Sequence, residues 1–363
     1  MILRSELKRV FEKDVNSFVD QQILNFINFQ YHSMHNKIAS KNLKIIEAKN
    51  GKLSKDLKIK SDEYAHFVLG SKIYAPWLYV YSALNGEFKE GWIPDNYYGR
   101  VVVPKLQSYY GAISEFNSLN KLIFKCDKFP DLLYYANDSW IDTNYNLLTQ
   151  NDVKNRLKDI RGKFVFKTDN SAQGNGVYVL NSDNFDFNFF KKKGNGIIQE
   201  YIKQNDFFNN FMSKSVATIR LTTYISDNGE PSVKACYLRF GRGNDTHIQG
   251  DSTIRIPINI NNGEFYEQGY INYWDEVKEH PDTKIKFKDN KIPYFEKCKQ
   301  TIFELHKSIP FVKIIGWDII INSNNEIQVM EWNGYHNGIK FTEATQGPCF
   351  KGMGLENLWK NKY

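Results

Sequence analysis

The sequence predicts an α+β protein with a helix-rich N-terminal region, on three observations. Apolar residues recur at helical spacing from Leu3 to about Ala39, beginning Leu3, Leu7, Val10, Phe11, Val15 and Phe18. From Gly162 onward, short β-branched and aromatic runs alternate with turns: KFVFKTD, GVYVLN, GIIQEYI, ATIRLTTYIS and VKACYLRFG. These read as strands of a largely antiparallel unit. Residues 293–309 form one amphipathic stretch, with Phe295, Ile302, Phe303 and Leu305 toward a core. Two closing strands follow, IIGWDIIIN and EIQVMEWN, joined by a turn at 323–325.

In the N-terminal region, His32 and His35 have metal-ligand spacing but no third ligand nearby, and are read as solvated. Residues 41–60 carry seven lysines against Glu47 and Asp56. A charge run of this kind is read as a solvated helix face or loop. The alternative is docking to an anionic membrane or a lipid-linked acceptor. Residues 71–150 hold aromatic clusters broken by turn signals at 85–86, 93–96, 129–131 and 136–138. They predict a mixed region of strands with one short helix.

The 363 residues suffice for two or three packed units, and 41% apolar against 25% charged residues is a globular balance. A net charge of +7 favours anionic partners such as nucleotides, phosphorylated sugars or a lipid surface. It is too small an excess to argue for nucleic acid, and no such motif accompanies it. Cys126, Cys236, Cys298 and Cys349 lie far apart without a CxxC pair. They read as small hydrophobes in a reducing cytoplasm, without a zinc site or disulfide framework. The opening MILRSELKRVFEKD lacks the apolar core of a signal peptide, and the run at 74–81 is too short for a bilayer. A soluble protein is expected.

Two constellations carry chemistry. A strand presents Lys167, followed by the Gly174-Asn175-Gly176 loop and a second strand. Glycines let backbone fold closely over phosphate oxygens, and a lysine supplies a compact positive charge. The loop alone would pass for a hairpin turn; it is neither a Walker loop nor a full GxGxxG. The second is GWDIIINSNNEIQVMEWNG at 316–334, where Asp318, Glu331 and Asn333 fall on adjacent strands. Glu331 and Asn333, two apart, share a face. Three hard oxygen donors with substrate phosphates completing the shell suit Mg²⁺. The bland alternative is a hairpin with polar residues on its wet face.

Taken in order, the lysine strand, glycine loop, IIQEYI, the arginine strand ATIRLTT and the closing D…ExN resemble the ATP-grasp superfamily. HPDT at 280–283, Ile292-Pro293, GWD and EWN make the chain similar to the sugar-transfer-associated ATP-grasp family, from roughly residue 70 onward. The resemblance implies an ATP-grasp fold, two α+β subdomains clasping ATP. The N-terminal region would span 1–115, with an acceptor or docking role. The small subdomain would span 116–202 and the large one 203–363.

By the same resemblance, Lys167 contacts the α/β-phosphates and Gly174, Asn175 and Gly176 form the lid. Gln199, Glu200, Tyr201 and Ile202 are the adenine hinge, and Lys121 is the upstream lysine reaching the nucleotide. Arg220 and Arg239 neutralise the γ-phosphate, and Asp318, Glu331 and Asn333 hold one or two Mg²⁺ ions. Arg242, Asn244, Asp245 and His247 are candidate acceptor contacts in a turn-rich loop. His247 could act as a base or stand as a surface histidine. His280 reads as structural, and Trp317 and Trp332 as core. Two departures from the family pattern are Thr218, where an acidic residue is common, and the segment FGRGNDTHIQGD.

The implied activity is an ATP- and Mg²⁺-dependent carboxylate–amine ligase acting through an acyl phosphate, in cell-surface polysaccharide or capsule synthesis. Its partners would be ATP, a small or lipid-linked saccharide acceptor and an amine or carboxylate co-substrate, with peripheral contact to the inner face of the membrane as an option. A sugar-hydroxyl kinase on the same fold and a non-catalytic nucleotide-binding module are the alternatives.

Overall fold

The computed structural model describes residues 2–160, 162–169, 176–183, 185–245, 247, 253–272 and 274–360, with side chains described from residue 19 onward. The chain divides into two compact units, Met1–Val102 with Ile339–Tyr363, and Val103–Gly338. Residues 339–363, which the sequence reading grouped with the large subdomain, thus belong to the same unit as the N-terminal helices.

The first unit is helical. Helix α1 (Ile2–Asn50) is followed by α2 (Lys55–Glu63), whose Ser54 cap accepts a hydrogen bond from the Leu57 amide. Helix α3 (Ala75–Asn85) has a proline in its first turn and ends at Gly86, in the left-handed region at φ 72°. Trp77, Leu78, Val80 and Tyr81 of α3 are buried. Residues 71–125 form helices and short 3₁₀ or π turns, and the first strand begins only at Asp131. The expected mixture of strands is therefore not found before that point. The aromatics that suggested strands serve as buried faces of these helices, where packing outweighs propensity.

His32 and His35 are both 8% exposed, so the solvated reading is corrected. They lie on the packed side of α1, three residues apart. His35 Nδ1 is 3.5 Å from Asp95, and His32 Nδ1 lies 3.4 Å from the Asn96 amide nitrogen. Burial first, then the positive Arg100 and the neighbouring His35, lower the His32 pKa to about 4. Nearby, Glu343 from the C-terminal helix Lys340–Thr345 is fully buried, accepting from the backbone amides of Ile93 at 2.8 Å and Cys349 at 2.9 Å.

The second unit holds two antiparallel sheets. The smaller runs β3-β2-β1-β6-β4-β5, from β1 (Asp131–Ala136), β2 (Ser139–Asp142), β3 (Leu147–Leu148), β4 (Lys163–Thr168), β5 (Val177–Asn181) and β6 (Gly196–Glu200). The larger runs β11-β10-β9-β8-β7-β12-β13, from β7 (Thr218–Ile225), β8 (Pro231–Phe240), β9 (Ile254–Pro257), β10 (Gly269–Ile271), β11 (Asp275–Val277), β12 (Ile314–Ile321) and β13 (Ile327–Asn333). The strand runs read from sequence correspond to β4 through β8 and to β12 and β13.

The larger sheet has two unlike faces. One packs Ile219, Leu221, Cys236, Leu238, Trp317 and Trp332 in a single core that includes Phe295, Ile302 and Leu305 of the helix Phe295–Lys307. Within that core a polar chain is fully matched. Trp317 Nε1 donates to Thr223 Oγ1 at 2.8 Å, and Thr223 lies 2.7 Å from His306 Nδ1. His306 Nε2 is 2.8 Å from the Val312 carbonyl, so a neutral ring satisfies every group. Burial lowers the His306 pKa to about 4. The other face carries the site.

Candidate active site

Strand pairing gathers the charged residues. Asp318 stands opposite Arg220 on β7 and Glu331 on β13, and Arg239 on β8 stands opposite Thr218. Directly opposed residues point to one face, as do residues two apart, so Thr218, Arg220, Tyr237, Arg239, Asp318, Glu331 and Asn333 share it. The register of β12 and β13 shifts between Asp318 and Ile319, leaving Met330 as the extra residue. Without that bulge, Glu331 would fall on the core face with Ile327 and Val329. With it, Glu331 reaches the cleft and Trp332 returns to the core.

Asp318 is the hub. Its Oδ2 accepts from Arg220 Nη2 at 2.8 Å, and its Oδ1 accepts from Arg220 Nε and from Arg239 Nη2, the latter at 2.7 Å. Burial pushes the Asp318 pKa upward, but the two guanidiniums outweigh it and hold the group at about 2. Arg220 also donates to the Asn337 carbonyl at 3.0 Å. A Cβ at Gly316 would stand 3.1 Å from Arg220 Nη1 and 2.9 Å from Asn337 Cβ, so the glycine of GWD makes room for this arginine.

Lys167 enters from β4 of the smaller sheet and donates to the Met330 carbonyl at 3.2 Å. The bulge residue therefore supplies a backbone anchor for the lysine. Burial lowers the Lys167 pKa, opposed by Glu331, Asp131 and Asp318. Glu331 is solvent-exposed yet enclosed by protein, as expected for a side chain on the floor of a cleft. Desolvation and then Asp318 raise its pKa, against Arg220, Lys167 and Arg239.

The donor set fits a divalent cation. A carboxylate offers about four lone-pair positions, and the arginines take three at Asp318. Asn333 commits its nitrogen to the Gly316 carbonyl at 3.3 Å, which makes its oxygen the available atom. Among the described residues no group of three His, Cys, Asp or Glu could hold a metal alone. Two carboxylates and one amide instead suit a cation whose remaining shell comes from phosphate and water.

The remaining predicted residues separate into groups. Gln199 is buried on β6 opposite Asp131, to which its Nε2 donates at 2.8 Å. Burial raises the Asp131 pKa to about 6, offset by Gln199, Lys167 and Lys121 in turn. Lys121, in the helix Asn120–Phe124, is 3.5 Å from Asp127. A cleft of about 230 Å³ is lined by residues 200–203, 322–324 and Gln328. Its walls are tied together by Ser323 N to Lys203 O at 2.8 Å and Asn205 N to Ile321 O at 2.9 Å. Glu200, Tyr201 and Ile202 all line it.

Gly176 follows directly on the undescribed stretch; Gly174 and Asn175 lie outside the described residues. In the 242–247 loop, the Arg242 amide donates to Asp245 at 2.9 Å and its guanidinium to Asn272 at 2.8 Å, while Lys214 reaches Asn244 at 2.8 Å. His280 is buried, with Nε2 3.1 Å from the Gly241 carbonyl. His247 is half-buried.

Two residues of this unit were missed from the sequence. Asp131 could have been noticed as a carboxylate opening the apolar run DLLYYA. Arg255 pairs with Arg239 and so lies on the cleft face; its signal was the alternation in Ile254-Arg255-Ile256. Like charges opposed on neighbouring strands repel, a cost that an anion bound between them would relieve.

Residues 185–358 match the family described as sugar-transfer associated ATP-grasp. Over that stretch, just under half of the chain, it has the ATP-grasp fold. Among solved structures, N5-carboxyaminoimidazole synthetase from Staphylococcus aureus complexed with ADP is 14% identical, with a TM-score of 0.39, covering 63% of this chain and 47% of that one. D-alanyl-alanine synthetase A from Vibrio cholerae is 13% identical, with a TM-score of 0.38, covering 69% and 67%. The biotin carboxylase domain of Hydrogenobacter thermophilus 2-oxoglutarate carboxylase, in complex with MgADP, ADP and bicarbonate, is 12% identical, with a TM-score of 0.37, covering 61% and 40%. The chain spans less than half of the carboxylase and S. aureus synthetase chains. No curated protein matches it.

Proposed function

We propose that this ATP-grasp chain is an ATP- and Mg²⁺-dependent carboxylate–amine ligase. The observation that carries the reading is the cleft face itself. Arg220 and Arg239 converge on Asp318, Glu331 opens beside them, and Lys167 is anchored on Met330 from the facing sheet. Structural ion pairs do not require an exposed carboxylate next to a buried one and a lysine held between sheets; a phosphate-handling site does.

In the proposed reaction a carboxylate oxygen of one substrate attacks the γ-phosphorus of ATP, and the bond to the β,γ-bridging oxygen breaks to release ADP. An amine then attacks the acyl carbon, phosphate leaves, and the amine loses a proton. Lys167 holds phosphate oxygens through its fixed ammonium. Arg220 and Arg239, kept in place by Asp318, face charge developing on the transferred group. The cation at Asp318, Glu331 and Asn333 would supply Lewis-acid neutralisation of phosphate charge. Residues 199–202 would carry the adenine, with Lys121 reaching the nucleotide. Arg242, Asn244, Asp245 and His247 would meet the acceptor, a sugar-derived acid or amine in keeping with the family description.

Phosphate release is the measurement, with panels of uronic acids and amino sugars. Release that requires ATP, a carboxylate and an amine together supports the ligase. A stable phosphorylated sugar formed without amine identifies a kinase on the same apparatus. Glu331→Gln should lower turnover by roughly 10²–10³ with unchanged circular dichroism, and wild-type activity in that variant overturns the assignment.

A further inference from the structure

The exposed side of α1 differs from its packed side. Ala39, Asn42 and Ile46, with His32 and His35, face the first unit, whereas Val19, Ile23, Phe26, Ile27, Met34 and Ile38 are 38–59% exposed. Their spacings of three, four and seven or eight put these six on one side of the helix; residues 19–30 are exposed all round, Leu24 and Phe29 included, and the packed side begins at His32. The stripe covers 20 residues, about 30 Å at 1.5 Å per residue. Lys37, Lys41 and Lys44 continue the same line toward the C-terminal end of α1, and all three are exposed.

Charge decides what this face fits. Between Lys37 and Lys60 there are eight lysines against Glu47 and Asp56, a net +6 within a chain whose whole net charge is +7. All eight are exposed. The two acids are already paired, Glu47 with Lys52 at 2.7 Å and Asp56 with Lys60 at 2.8 Å. An apolar stripe continued by a dense basic segment matches an anionic bilayer, where apolar side chains enter the acyl boundary and lysines meet the headgroups. A second copy packed parallel along α1 would set the same positive segments side by side, where they repel. No described helix is long and apolar enough to cross a membrane, so the contact is one of lying on the surface.

We infer that α1, with the lysines that follow it, docks the protein on anionic lipid surfaces. The test is flotation of the full chain with vesicles of phosphatidylcholine alone and of phosphatidylcholine mixed with phosphatidylserine. Binding should appear only with the anionic vesicles and weaken steeply as salt is raised. Ile23→Glu/Ile27→Glu and Lys37→Glu/Lys41→Glu/Lys44→Glu should each weaken it more than tenfold, with unchanged melting because every altered residue is exposed. Phe67→Ala, on another exposed side chain (71%), should leave it intact. Equal binding to both vesicles, or undiminished binding by both multiple variants, overturns the inference. So does a lipid-free dimer that Ile23→Glu/Ile27→Glu separates, since the stripe would then belong to a second copy.

Discussion

Asp318 and Glu343 are both buried carboxylates, one in each unit, and their environments drive them in opposite directions. Asp318 meets two guanidiniums and is held at about 2, despite burial. Glu343 meets the backbone amides of Ile93 and Cys349 and the Cys349 side chain, and burial pushes it up to about 8. Hydrogen bonds from Ile93 and Cys349 lower that value without cancelling the desolvation. A buried acid is thus neutral by default and stays ionised where counter-charges are built around it. The cleft face does so at Asp318, and Glu343 is a structural pin in a helical core.

The largest expected effect comes from removing the hub. Asp318→Asn leaves Arg220 and Arg239 without their carboxylate and should cost about 3–5 kcal/mol in urea unfolding. A loss below 1 kcal/mol would mean that the arginines are solvated and the hub is not structural.

Glu343→Gln sharpens the other side. A protonated carboxyl can still accept from both amides, but the Gln nitrogen would face one of them, a cost of about 1–3 kcal/mol near neutral pH. Full retention of stability would argue that Glu343 is ionised in the folded chain.

The pH dependences differ in sign. The Glu343 pKa is raised from 4.5 to about 8, so its contribution is whole below about pH 4.5 and is lost as pH rises through 8. The slope is at most about 1.4 kcal/mol per pH unit, and Glu343→Gln should abolish it. The Asp318 pKa is lowered from 3.8 to about 2, so its contribution is present above 3.8 and is lost as pH falls through 2. His306, lowered from 6.5 to about 4, likewise favours the folded state above 6.5 and costs stability on acidification. Urea titrations at pH 5, 7 and 8 on wild type and Glu343→Gln separate these trends.

Much of the cleft was legible because order survives folding. Asp318, Glu331 and Asn333 follow Lys167 and Arg220 along the chain, and alternation along strands puts each on a definite face. The bulge at Met330 was not legible, since nothing in Val329-Met330-Glu331 announces an extra residue; it follows from keeping both Trp332 in the core and Glu331 out of it. That Asp318 would bind the two arginines was likewise hidden, because pairing partners across three strands are not written in any one of them. In the first unit, His32 and His35 were misread for a related reason. A polar pattern on α1 says nothing of Asp95 and Asn96, some sixty residues later, which bury them.

The central claim is that the Lys167–Asp318–Glu331 face handles a nucleotide phosphate, and titration calorimetry with MgADP tests it most directly. Wild type should bind, Lys167→Ala should bind at least tenfold more weakly, and Phe67→Ala should match wild type. Absence of binding to wild type, or equal affinity in Lys167→Ala, would contradict it.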